Sequence, residues 1–147
     1  MVILLDSSSL LGALSKGTPF PYSLYYAAEF LLRGLDKKSK DNIIKPFTHP
    51  TGSSIISHLS YYDDIIIFTN GNKRSCQKLM DFLHSYEDLS GQKINMQKSS
   101  FTMDTKTHIN RRNAISSYLG MQFKLLRLKY LVRPLYNGRL KFYYFTN

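Results

Sequence analysis

The sequence predicts an α+β fold, and three observations lead there. Helical and strand-like patterns follow one another as helix, hairpin, helix, strand, helix, strand. Two strand-like runs, Ile55 to Tyr61 and Asp64 to Thr69, are separated by Tyr62 and Asp63 alone, the spacing of a β-hairpin. The chain has 147 residues, 43% hydrophobic and 20% charged, the balance of one folded domain with a real core rather than of a disordered chain.

Each element has its own reason. Val2 to Leu5 is a short apolar run closed by Asp6 and three serines, read as a strand. Lys16-Gly17-Thr18-Pro19 marks a turn. Ser23 to Leu35 is apolar almost all round, the pattern of a buried helix, and Pro21 suits its approach. Gly34 is expected to weaken its last turn. Asp36 to Ser54, lysine-rich and broken by Pro46, Pro50 and Gly52, reads as a surface loop.

After the hairpin, Asn72 can cap a helix running to about Leu89. There Cys76, Leu79, Leu83 and Tyr86 recur at helical spacing and Gly91 supplies the positive φ of a C-terminal cap. Cys76 therefore belongs to the core. Short strands are expected near Lys93-Ile94-Asn95 and from Ser99 to Met103. Thr105 or Thr107 opens a polar helix ending near Leu119-Gly120. The last stretch, "LRLKYLVRPLYNGRLKFYYF", mixes strand-like alternation with Lys and Arg.

Charge narrows the function classes. Twenty Lys and Arg against ten Asp and Glu leave a net charge of +10, which points to a polyanionic partner, nucleic acid before membrane surface. A single cysteine excludes a disulfide framework and a cysteine zinc site. The four histidines lack ligand spacing. No apolar run approaches the roughly 20 residues of a spanning helix, so a soluble intracellular protein is expected.

The hairpin carries the chemistry. "SYYDDIIIF" places Asp63 and Asp64 side by side at the head of a strand-forming run. Adjacent carboxylates stay ionised at neutral pH when positive charge sits beside them. A hard cation such as Mg²⁺ supplies it, taking oxygens from one or two carboxylates and from substrate phosphates. For the dipeptide alone, the plainer reading is a turn rich in Asp for local hydrogen-bonding reasons.

The surrounding residues add a resemblance. "AAEFLLRGLD", "ISHLSYYDDIIIFTNG", "SGQKINMQKSSF" and "LKYLVRPLYNGRLK", in that order, resemble the palm and thumb entry of reverse transcriptases. The likeness is closest to the non-LTR, LINE-type retrotransposon enzymes of plant genomes. It covers the chain nearly end to end, with a palm from about residue 16 to 110 and a thumb entry from about 120 to 147. It implies a partial reverse-transcriptase palm, an antiparallel hairpin carrying Tyr-x-Asp-Asp packed with helices. It also implies RNA-directed DNA polymerisation with Mg²⁺ or Mn²⁺ held by Asp63 and Asp64, on an RNA template with a DNA primer and deoxynucleotides.

By the same resemblance Tyr61 packs beside the primer terminus, and Gly17 and Pro19 line the nucleotide. Lys98 protonates the leaving pyrophosphate; a solvated lysine on a strand is the plain alternative. The sequence departs from the family at three places. Lys16-Gly17-Thr18-Pro19-Phe20-Pro21 stands where the family has Gln-Gly-Asp-Pro-Leu-Ser-Pro. Tyr62 replaces a small residue, and Val132 replaces a glycine. Only ten residues separate Asp6 from Gly17, too few for the helix that follows the family's first catalytic aspartate. Asp6 accordingly reads as an ordinary strand-end residue, and the first carboxylate and the fingers as missing. The expectation is a fragment inactive by itself, or alternatively a non-catalytic, basic nucleic-acid-binding remnant. In the latter, Lys124, Arg127, Lys129, Arg133, Arg139 and Lys141 interleave with aromatic residues.

Overall fold

The computed structural model describes residues 1–6, 22–46, 51–61, 64–125, 129–130 and 133–134. The elements in chain order are strand β1 (Val2–Asp6), helix α1 (Tyr22–Lys40), strands β2 (His58–Tyr61) and β3 (Asp64–Phe68), helix α2 (Lys73–Ser90) and strand β4 (Ser100–Thr102). Helix α3 (Ile109–Leu119) and the short strands β5 (Gln122–Phe123), β6 (Lys129–Tyr130) and β7 (Arg133–Pro134) follow. The α+β class is as the sequence predicts.

The sheet runs β2-β3-β1-β4-β5, antiparallel except for the parallel β4–β5 pair, while β6 and β7 pair separately. The short strand at the start of the chain is thus its central strand. Val2 to Asp6 pair with Phe68 to Asp64 on one side, and Val2 to Leu4 pair with Thr102 to Ser100 on the other.

Strand geometry sends alternate residues to opposite faces, and burial follows. Ile3 and Leu5 of β1, Ile65 and Ile67 of β3 and Phe101 of β4 form one core cluster with residues from all three of these helices. Leu31 and Leu35 come from α1, Leu79, Leu83 and Tyr86 from α2, and Ile115 and Leu119 from α3. Cys76 lies in this cluster, fully buried, as expected. The helices therefore cover one face of the sheet. Val2, Leu4, Asp6, Asp64, Ile66 and Phe68 alternate onto the other.

Helix α2 obeys its sequence signals. The Asn72 side chain accepts a hydrogen bond from the Ser75 N–H at 2.7 Å, and Gly91 closes the helix at φ 69° with its N–H on the Glu87 carbonyl. Such an N-cap contributes about 1 kcal/mol.

Three local expectations are corrected. Helix α1 continues to Lys40, five residues into the stretch read as loop. Lys40 pairs with Asp36 one turn earlier, at 2.6 Å, and lysines at a helix C-terminus complement its dipole. Gly34 consequently sits inside the helix, where a Cβ would overlap the Phe82 ring of α2; its role is close approach, not termination. Lys93 to Asn95 is not a strand. The Ile94 N–H goes to the Glu87 carboxylate at 2.8 Å and the Asn95 N–H to the Asp6 carbonyl at 3.3 Å, so neither serves a ladder. His108, rather than a threonine, caps α3, its Nδ1 accepting from the Asn110 N–H at 3.2 Å.

A carboxylate pair at one end of the sheet

The strand sequences "VILLD" and "DIIIF" are near mirror images in pattern, an apolar run with an aspartate at one end. Antiparallel pairing in full overlap brings the two aspartates together, and Asp6 is the direct partner of Asp64. Directly opposed residues have Cβ atoms about 4.5–5.5 Å apart on the same face, where like charges destabilise the pairing. Both are half-buried, on the face away from the helices. This revises the expectation for Asp6. It is no ordinary strand end, because a carboxylate from a neighbouring strand stands beside the hairpin's Asp64.

The backbone around Asp6 is held tightly. Its N–H donates to the Ser99 hydroxyl at 3.0 Å, which itself donates to the Asn95 carbonyl at 2.8 Å. The Ser99 N–H reaches the same carbonyl at 3.0 Å, and the Lys98 N–H donates to Asn95 Oδ1 at 3.2 Å. Ser99 is fully buried and its hydroxyl is used in both directions. The turn from Asn95 to Ser99 is thereby locked onto the end of β1, and Lys98, which is exposed, is carried to the carboxylate end.

Of the residues expected at a site, the structure brings together Asp64 and the Lys98-bearing turn, and adds Asp6. Tyr61 pairs with Asp64 through β2. Asp63, Gly17 and Pro19 lie outside the described residues. The signal that could have found Asp6 was the mirror relation of its strand to that of Asp64. The sequence offered no proof that the two strands pair.

Two opposed carboxylates suit a hard divalent cation, which binds through one or two carboxylates and completes its shell with water and phosphate oxygens. The set does not suit zinc, which takes nitrogen and sulfur ligands in fours. Among the described residues no group of three or more His, Cys, Asp or Glu converges. Asp6 and Asp64 are the donors that the described sheet end supplies.

A second polar cluster ties α1 to β2. Ser57 Oγ lies 2.9 Å from His58 Nδ1. The Asp36 carboxyl is held below its usual range, chiefly by the Lys40 hydrogen bond, with His58 and Ser57 contributing. Burial pushes the His58 pKa down, opposed by Asp36. Ser57 is buried and shares a ring nitrogen with its own neighbour, so the cluster staples a helix to an edge strand. The Cys76 thiol is no nucleophile either, since burial lifts its pKa to about 11.

The fold and site thus define an α+β protein with paired carboxylates at the ends of two interior strands of a mostly antiparallel sheet. No family model matches this chain, and no curated protein matches it. Among the described residues no helix is long and apolar enough to cross a membrane.

Proposed function

We propose that the chain is the palm portion of an RNA-directed DNA polymerase of the non-LTR retrotransposon type. In this reading the end of the sheet where Asp6 meets Asp64 holds Mg²⁺ or Mn²⁺ against the phosphates of a primer and a deoxynucleotide. The observation that carries the reading is the register, which sets a second strand's carboxylate directly beside the Asp64 of Tyr-x-Asp-Asp.

Asp6 and Asp64, with Asp63, would hold the cation. When bound, it neutralises phosphate charge and polarises the oxygens involved in nucleotidyl transfer. The chain's own work is to position. Ladder pairing between β1 and β3 sets the spacing of the two carboxylates, and the Ser99 hydroxyl anchors the Asp6 backbone. Rigid strands give the tolerance that such a site needs. Lys98 Nζ, carried on the exposed turn at that end, would deliver a proton to the departing pyrophosphate. The sequence around Gly17 and Pro19 departs from the family pattern on the nucleotide side. Primer extension by this chain alone is therefore expected to be absent.

The test is Mn²⁺ binding by the chain, followed by water-proton relaxation. Asp6→Asn and Asp64→Asn are each expected to weaken it by about tenfold or more, the effect of losing one of the three charged ligands at ~1.4 kcal/mol per decade. Unchanged affinity in both variants overturns the cation site. Mn²⁺-dependent primer extension that disappears with Asp63→Ala overturns the expectation of inactivity. The basic nucleic-acid-binding remnant is the second reading, favoured by the net charge of +10; it predicts RNA binding that neither asparagine variant affects, with no cation bound.

A further inference from the structure

Positive charge is unevenly spread along the chain. Residues 105–147 contain nine Lys and Arg and no Asp or Glu, so nine of the ten net charges arise there. The fold adds bases from elsewhere to the start of this stretch. Helix α3 packs on α2. Lys73, in the first turn of α2, places Nζ 5.5 Å from the centre of the Tyr118 ring of α3. Arg111 of α3 lies near enough to Cys76 of α2 to bear on its thiol.

Lys73, Arg74, Lys106 and Arg111 are all exposed. The ion pairs among the described residues are Arg33–Glu29, Lys40–Asp36 and Lys93–Glu87, and none includes these four. Asp104 is the acid nearest in sequence, and its carboxylate accepts the Lys106 backbone N–H at 2.9 Å. Arg112 has a different task. It stacks 4.5 Å over Phe123 and donates to the Asp104 and Thr105 carbonyls, holding the loop before α3 in place.

Neither α2 nor α3 has an acid in its first turn, where the helix dipole favours one. Folding alone gives no reason to gather bases there. The surface also lies away from the carboxylates. The start of α2 follows the Phe68 end of β3, which pairs with Val2, whereas Asp64 and Asp6 lie about 13 Å along the same strands at ~3.3 Å per residue.

We propose that the exposed bases where α2 begins against α3, Lys73, Arg74 and Arg111 with Lys106 beside them, form a docking surface for the phosphate backbone of a nucleic acid. It rests on the proposed function only in taking the polyanion to be a nucleic acid rather than a lipid surface. The chemistry of α3 favours that choice. On either side of Arg111 and Arg112 the helix exposes Asn110 and Asn113, whose amide groups hydrogen-bond phosphate oxygens. A helix that lies in a membrane surface needs a broad apolar face. Among the described residues of α3, Ile109 is the single large apolar side chain left exposed.

The test uses the full chain and a labelled single-stranded RNA of about 20 nucleotides, with binding read by fluorescence anisotropy across salt. The Arg74→Gln/Arg111→Gln variant is expected to flatten the slope of log affinity against log salt by roughly 1.4, about 0.7 for each lost phosphate contact. The control Lys37→Gln/Lys45→Gln removes two exposed charges elsewhere and is expected to leave the slope close to that of the parent. Equal losses in the two variants overturn the surface, as does absence of salt-dependent RNA binding by the parent. Tighter binding to equimolar phosphatidylserine–phosphatidylcholine vesicles than to RNA overturns the choice of partner. Should the double variant fail to fold by circular dichroism, Arg74→Gln and Arg111→Gln measured singly are each expected to flatten the slope by about 0.7. Asp64→Asn in the same titration separates the two proposals. A retained slope with lost Mn²⁺ binding keeps both, and a retained slope with unchanged Mn²⁺ binding removes the cation site alone.

Discussion

The two ends of the β1–β3 pair contrast in how they gather charge. At one end two carboxylates are opposed by strand register, and a buried serine anchors the backbone behind one of them. At the other, bases from two helices meet on an exposed surface with no ion pair among them. The first arrangement needs accurate geometry and is built on ladder pairing between two interior strands. The second needs only density of charge and is built on exposed helix surfaces. The proposed cation site and the proposed polyanion surface call for these different constructions.

The sharpest way to break the comparison is to loosen the strands. Leu5→Ala, on the helix-covered face beside Asp6, is expected to cost about 2–5 kcal/mol in urea unfolding. It should weaken Mn²⁺ binding more than RNA binding. Ser99→Ala is a finer cut. It leaves the Asp6 N–H short of a partner, while the Asn95 carbonyl keeps the Ser99 N–H, at a cost of about 1–3 kcal/mol. Mn²⁺ affinity should fall while the salt slope for RNA stays as it was, and a parallel change in both would show that the two ends are not independent.

The smallest effect lies in the core beneath the bases. Burial raises the Cys76 thiol from 9.0 to about 11, against the pull of the chain's amino terminus and Arg111. Between those values the folded state keeps a proton that the unfolded state has lost, so stability should fall as pH rises from about 9 towards 11. Urea unfolding across that window, compared with Cys76→Ala, checks the sign. A decline that is the same in both proteins assigns it to other groups.

Much of the fold was legible because its signals are local. The Asn72 cap, the apolar spacing through Tyr86 and the Gly91 stop are all written within 20 residues, and α2 follows them. The hairpin was legible from two runs and a two-residue connection. What escaped depends on partners distant in sequence. Asp6 acquires its place from Asp64, and the stretch around Ile94 loses strand character because Glu87 and Asp6 take its hydrogen bonds. Gly34 reads as a weak helix end until the Phe82 ring is known to lie against it. Asp64 is marked by the local hairpin pattern and Lys98 by the family resemblance alone, whereas the place of Asp6 depends on a pairing with a strand about 60 residues away.

The opposed aspartates have a consequence for folding accuracy. Side chains alternate strictly along a strand, so a slip of one residue between β1 and β3 would exchange the two faces of the slipped strand. Asp6 or Asp64 would then turn towards Leu79, Leu83 and Tyr86, where an ionised carboxylate has no compensation. The apolar residues Val2 to Leu5 and Ile65 to Phe68 could tolerate such a shift among themselves. The acids at their ends cannot. Whatever else they do in the folded protein, these acids disfavour the misaligned register and so help to specify the sheet.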